Sequence, residues 1–138
     1  MANLYRFGIS LEKRLIDAFD RHIGGKKYQN RSEAIRELIR EELLRKKWAE
    51  GGDVAGAIVM TYDHHQRELV TKLLDVQHDF HHLIISSQHV HLDHHHCLEI
   101  LAVKGKATEV KTLADGIKAL KGVEQVTISA AATGHPCK

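Results

Sequence analysis

His89-Val90-His91-Leu92-Asp93-His94-His95-His96-Cys97-Leu98-Glu99 is the stretch that decides how this chain folds. Side chains of a strand alternate between its faces, so His89 and His91, two apart, present both imidazoles on one side. The residues from Leu92 to His96 make a loop that folds back into a second strand, CLEILAVK over 97–104. The thiol of Cys97 then meets the two imidazoles from the neighbouring strand. Two imidazoles and a thiolate form a borderline-soft donor set. It suits Ni(II), Cu(II), Zn(II) or Co(II) and is poor for Mg(II) or Ca(II). A fourth donor must come from elsewhere, and His78, His81, His82, His94, His95 and His96 are all candidates. A planar set would favour Ni(II) or Cu(II) and a tetrahedral one Zn(II), a choice that spacing leaves open. A single histidine is more often a surface residue, and a single cysteine a small core residue. Eight histidines between His78 and His96 shift the balance to a metal.

The flanking sequence extends this hairpin in both directions. Val54–Tyr62 reads as a strand, and Asp63 can cap a helix over His64–Gln77 with Leu69, Val70, Leu73 and Leu74 apolar. Phe80–Leu92 reads as one long strand. After Cys97–Lys104, Gly105 opens a turn. Lys106–Leu120 is helical through Val110, Leu113, Ile117 and Leu120, and Gly122 ends it. Val123–Ala131 is the last strand. The order is β-α-β-β-α-β, the ferredoxin-like pattern. Thr133–Lys138 reads as a loose tail.

The first 50 residues have a different rhythm. Leu4–Ser10 alternates, with Tyr5, Phe7 and Ile9 on one face and Arg6, Gly8 and Ser10 on the other, a strand of about seven residues. Ser10 can cap a helix carrying Leu11, Leu15, Ile16, Phe19 and Ile23, stopped by Gly24-Gly25. Asn30-Arg31-Ser32-Glu33 reads as a capping box, and Ala34, Ile35, Leu38, Ile39 and Leu43 stripe a second helix that runs to about Trp48. A lone strand cannot stand as a sheet. Its natural partner is the same strand of a second copy, in a two-stranded antiparallel ribbon. Such a ribbon fits the major groove of double-stranded DNA. On it Arg6 matches guanine O6/N7, Ser10 can donate or accept, and Gly8 lets the backbone approach. Each good base contact contributes about 1–3 kcal/mol of discrimination. The helix start at Arg31 and Ser32 offers amides and positive charge to a phosphate, with Lys26 and Lys27 as non-specific contacts.

Charge and histidine follow the same division. Residues 1–50 hold 12 Lys+Arg and 8 Asp+Glu, against 8 and 10 in residues 51–138. Eleven of the 12 histidines lie in the second part. The expected domains are 1–50 for DNA binding, a linker at 51–53, 54–132 for metal, and a tail at 133–138. No apolar run reaches membrane-spanning length and the start lacks an apolar leader, so a cytoplasmic protein is expected. Two cysteines 40 residues apart make no disulfide framework.

The two constellations together resemble the NikR family of nickel-responsive transcriptional regulators, from Arg6 to Val126. The resemblance rests on RFGISL at 6–11, NRSEAIR at 30–36, Gln77-His78, HVHLDHHHCLE at 89–99 and VKG at 103–105. It implies an α+β fold: a ribbon-helix-helix dimer, then an ACT-like domain that assembles a homotetramer. It implies square-planar Ni(II) held by His89, His91 and Cys97 of one subunit and His78 of another. It implies that nickel strengthens binding to a palindromic operator and so represses nickel uptake. The base-reading positions of the family fall on Arg6, Gly8 and Ser10. A structural cation site, often potassium, falls on Glu33 and Glu37 with main-chain oxygens near Lys118, Leu120 and Val123. Gly8 stands where some relatives carry a hydroxyl, and Glu37 where Asp is common. His94, His95 and His96, and His135 with Cys137, are further donors. Three other classes compete. A nickel storage or delivery protein would need no DNA, against the basic, capped N-terminal part. A small-molecule sensor fits poorly with so much histidine. An enzyme would need an open coordination position or a nucleophile–base pair, and the sequence supplies neither.

Overall fold

The computed structural model describes residues 3–25, 28 and 30–131. Lys26, Lys27, His135 and Cys137 lie outside the described residues. The chain divides into two compact units, residues 1–40 and 41–138. That boundary falls ten residues before the expected end of the first domain, inside a helix.

In the first unit, α1 spans Lys13–Gly24 and α2 starts at Arg31 and runs to Ala49 in the second unit. The cap at Asn30 is realised: its Oδ1 accepts the backbone N–H of Glu33 at 2.9 Å. The cap at Ser10 is not. Helix α1 begins two residues later, with Glu12 in the N-cap position and no side-chain hydrogen bond there. Residues 3–12 form no strand in the single chain. The expected strand over Leu4–Ser10 lacks a second strand to bond with, and one ribbon edge alone has no ladder to make.

The second unit holds β1 (Asp53–Asp63), α3 (Arg67–Asp79), β2 (Ile84–His91), β3 (His96–Lys106), α4 (Ala107–Lys118) and β4 (Val123–Ala131). The four strands form one antiparallel sheet in the order β2-β3-β1-β4. That order with this element sequence is the expected ferredoxin-like arrangement. Alternation sorts β1 and β3 cleanly. Val54, Ile58, Met60 and Tyr62 of β1 and Cys97, Leu101 and Val103 of β3 are buried, with Leu69 and Leu73 of α3 and Val110, Leu113 and Ile117 of α4 completing the core. Trp48, at the end of α2, joins this core, which explains why the boundary between units falls upstream of it. Gly51 follows with φ 75°, the left-handed turn that ends a helix without a Cβ clash.

Three boundaries differ from expectation. Phe80–Leu83 is a turn and not strand: Leu83 N–H donates to Phe80 O at 2.9 Å. Helix α3 begins at Arg67 and not His64, because Asp63, His64 and His65 form the turn that leaves β1. Gly105 opens no turn. Strand β3 passes through it to Lys106, and the side chain of Leu83 occupies the space where a Cβ would stand.

Candidate metal centre

The β1–β3 register sets Tyr62 opposite Cys97, and the β2–β3 register sets His91 opposite Cys97 and His89 opposite Glu99. Cross-strand partners point to the same face. Tyr62, Cys97 and His91 therefore form one row across three strands, with Glu99 and His89 in the next. His91 Nδ1 lies 3.4 Å from Cys97 Sγ. The His89 and His91 rings are 5.5 Å apart. The contact of His91 with the returning cysteine is thus formed within one chain, while His89 lies beside His91 but outside the group of donors that meet at Cys97.

Cys97 is fully buried. Burial pushes its thiol above the ordinary range, and the nearby carboxylates of Glu99, Asp63 and Asp93 push it the same way. The free chain therefore holds a protonated thiol at neutral pH. A bound cation reverses that preference, since a coordinating thiol is deprotonated. The donor chemistry fits a borderline divalent ion.

Behind the donors sits a buried carboxylate. Glu99 accepts from Tyr62 Oη at 2.7 Å and from Gln77 Nε2 at 2.8 Å. His89 Nδ1 stands 3.7 Å from the same carboxylate, and its Nε2 stands 3.5 Å from Tyr62 Oη. Such partners fix ring orientation and tautomer for a ligand histidine. Burial, then the hydrogen bond to Glu99, raise the Tyr62 phenol far above its ordinary value, so it stays a donor.

His64 is the donor that sequence reasoning passed over. With His91 and Cys97 it forms a group whose ligand atoms all lie within 4.8 Å of one another. Its ring is 5.1 Å from that of His91, and its Nε2 meets His94 O at 3.0 Å. His78 does not join this group among the described residues. It sits near the end of α3, its ring stacked on His81 with centroids 5.9 Å apart. His82 faces Glu109, and His96 bridges Asp93 and Glu124.

The residues expected to meet DNA are less organised. Arg6, Gly8 and Ser10 are exposed on the unpaired N-terminal segment. Arg31 makes a two-pronged ion pair with Asp20, at 2.9 and 2.6 Å, which ties α2 to α1. Ser32 is exposed on the first turn of α2. Glu33 pairs with Arg36 at 2.8 Å and Glu37 with Arg40 at 3.9 Å.

Known proteins divide this chain into two family matches, parted between residues 46 and 55. A model of the NikR C-terminal nickel-binding domain matches residues 55–131, and one of the ribbon-helix-helix proteins of the copG family matches residues 5–46. The chain belongs to the NikR family. A "Putative nickel-responsive regulator" of Chlorobium limicola is 66% identical over 97% of this chain and 100% of its own length. One so named in Syntrophus aciditrophicus is 54% identical over 98% of each chain. An uncharacterised protein of Thermotoga maritima shares the fold, with a TM-score of 0.54 at 11% identity, covering 58% of this chain and 99% of that one. The NikR family comprises nickel-responsive regulators and not enzymes. This chain is thus a metal-responsive regulator with a ribbon-helix-helix unit and a nickel-binding domain. Among the described residues, no helix is long and apolar enough to cross a membrane.

Proposed function

We propose that the chain is a Ni(II)-dependent repressor of nickel-uptake genes, acting as a dimer of dimers on a palindromic DNA operator. The observation that supports this is the cluster of thiol and imidazole donors at the β2–β3 hairpin, to which His64 is also close. His91 and Cys97 meet at 3.4 Å with His89 beside them, while His78 stands apart against His81. His89, His91 and Cys97 hold the ion, and His78 of the partner subunit completes the set. The bound ion supplies a link between chains. It favours the DNA-competent arrangement only by binding that arrangement more tightly, and a full switch takes a preference of about 10⁴-fold.

The N-terminal segments of two chains pair through Tyr5, Phe7 and Ile9 and present Arg6, Gly8 and Ser10 to the major groove. Arg31 and Ser32 at the start of α2 meet the phosphates, Arg31 held in place by Asp20. A monovalent cation such as potassium at Glu33 and Glu37 is part of the same reading. The exposed Ile85 of β2 and Ile128 of β4 leave apolar area on the sheet domain for tetramer contacts.

Subunit mixing tests the shared site. Cys97→Ala chains and His78→Ala chains each lose tight Ni(II) binding alone. Mixed and reassembled, they regain tight sites, because an intact Cys97 then meets an intact His78 of another chain. No recovery on mixing, with assembly verified by sedimentation, contradicts the shared site.

A further inference from the structure

Gly51 and Gly52 stand in the stretch expected as a linker, between the end of α2 and the start of β1. Adjacent glycines ordinarily make a flexible joint, yet here both are bonded into the sheet domain. Gly51 N–H donates to Trp48 O at 3.3 Å and Gly52 N–H to Lys47 O at 3.0 Å, which closes the last turn of α2. Gly52 O accepts the N–H of Ala107, the first residue of α4, at 2.9 Å. We propose that Trp48 anchors the end of α2 on the sheet domain and is the positioning residue through which the metal centre acts on the DNA-reading unit, with Gly51 and Gly52 part of that anchor and not a hinge.

Trp48 is 9% exposed and belongs to the same core as Ile58, Leu101 and Leu113. Leu44, one turn earlier on the same face of α2, is half-buried against that core. The indole N–H meets no acceptor among the described residues, so apolar packing holds the ring. Gly56 of β1 lies beside it, where a Cβ would stand 3.5 Å from Trp48 Cζ2 and 2.5 Å from Ser129 O. Lys111 of α4 donates from Nζ to Trp48 O at 3.4 Å, and a cation suits the carbonyl end of a helix. Upstream, residues 38–42 are all exposed, and the division between the two units falls among them, between Arg40 and Glu41. The end of α2 is therefore part of the sheet domain.

Strand β1 joins this anchor to the metal centre. Gly56 stands beside Trp48 and Tyr62 opposite Cys97, about 20 Å apart along one strand. That strand is bonded on both sides, to β3 and to β4, and so shifts as one piece. A helix end fixed to it carries a shift at the metal centre into α2, whereas a glycine hinge would absorb it. The anchor is independent of what the chain regulates; its role in coupling rests on the repressor reading.

Amide hydrogen exchange of the full-length protein, and its operator affinity with and without Ni(II), test the proposal on the same variants. In wild type the amides of Gly51, Gly52 and Ala107 exchange at least about tenfold slower than open-chain amides. Trp48→Ala speeds them at least about tenfold. It keeps Ni(II) with its thiolate charge-transfer band, which shows an intact centre, and loses at least about tenfold of the nickel-dependent gain in operator affinity. Trp48→Phe, which keeps an apolar ring in the core, restores both. Lys111→Ala leaves the core packing alone and shows the same changes to a lesser degree; it decides the matter if Trp48→Ala loses the thiolate band. A merely structural role would weaken operator binding equally with and without Ni(II) and leave the gain unchanged. Open-chain exchange at Gly51 and Gly52 in wild type overturns the anchor. An unchanged nickel gain in Trp48→Ala overturns the coupling alone. A wild type whose operator binding ignores Ni(II) overturns the repressor reading and the coupling together, while the exchange rates still decide the anchor.

Discussion

The two units solve the problem of apolar surface in opposite ways. The sheet domain builds a core of its own: Ile58, Leu101, Val110, Leu113 and Ile117 are wholly buried within one chain, although Ile85 and Ile128 stay exposed. The N-terminal unit leaves its apolar side chains bare, with Tyr5 88%, Phe7 69% and Leu15 58% exposed. A unit of about 40 residues cannot bury enough area alone. The uncovered stripe is thus an interface in waiting, and the first unit should gain its stability from a second copy while the sheet domain gains it from its own core.

Leu101→Ala gives the largest effect. It empties a fully buried position and costs about 2–5 kcal/mol, seen as a lower denaturant midpoint for the sheet domain whatever the protein concentration. Ile9→Ala comes next. It costs about 1.5–3 kcal/mol if the ribbon pairs, in a melting step of the N-terminal unit that shifts with concentration. A cost near zero would mean the segment stays unpaired and the contrast fails. Tyr62→Phe removes one of two donors to the buried Glu99 and costs about 1–2 kcal/mol. Its finer effect is on the centre, where His89 loses an orienting neighbour and nickel affinity falls without loss of the ion's thiolate band. Asp93→Asn is the smallest. Backbone N–H groups of His96 and His95 hold the Asp93 carboxyl down at about 2, from an ordinary 3.8. A depressed acid stabilises the fold above its unfolded value and loses that contribution as pH falls through 2. Wild type therefore loses more thermal stability than the variant between pH 4 and pH 2, by a small margin because the group is exposed.

Much of this was legible in the sequence, for physical reasons that differ by region. The strands and helices of the sheet domain show in their own periodicity, since each buries a face within the chain. Strand alternation puts His89 and His91 on one face, and the loop that folds back brings Cys97 opposite His91. His64 escaped because the run from Asp63 reads equally well as a capped helix. Only the register of β1 against β3, with Asp63 opposite His96, reveals it as a turn residue beside Cys97. Ser10 looked like a cap because its type suits one, but the backbone turns helical only after Glu12. The N-terminal strand is written in the alternation of Leu4–Ser10, yet a single chain has nothing to pair it with.

A DNA mobility-shift assay on a nickel-uptake operator, with Ni(II) added or removed and Zn(II) and Co(II) as controls, tests the repressor most directly. Ni(II) should tighten binding by at least a hundredfold, and Arg6→Ala and Cys97→Ala should each abolish the nickel-dependent shift. Equal binding with and without Ni(II), or an undiminished shift in Cys97→Ala, would contradict a regulator switched through this centre.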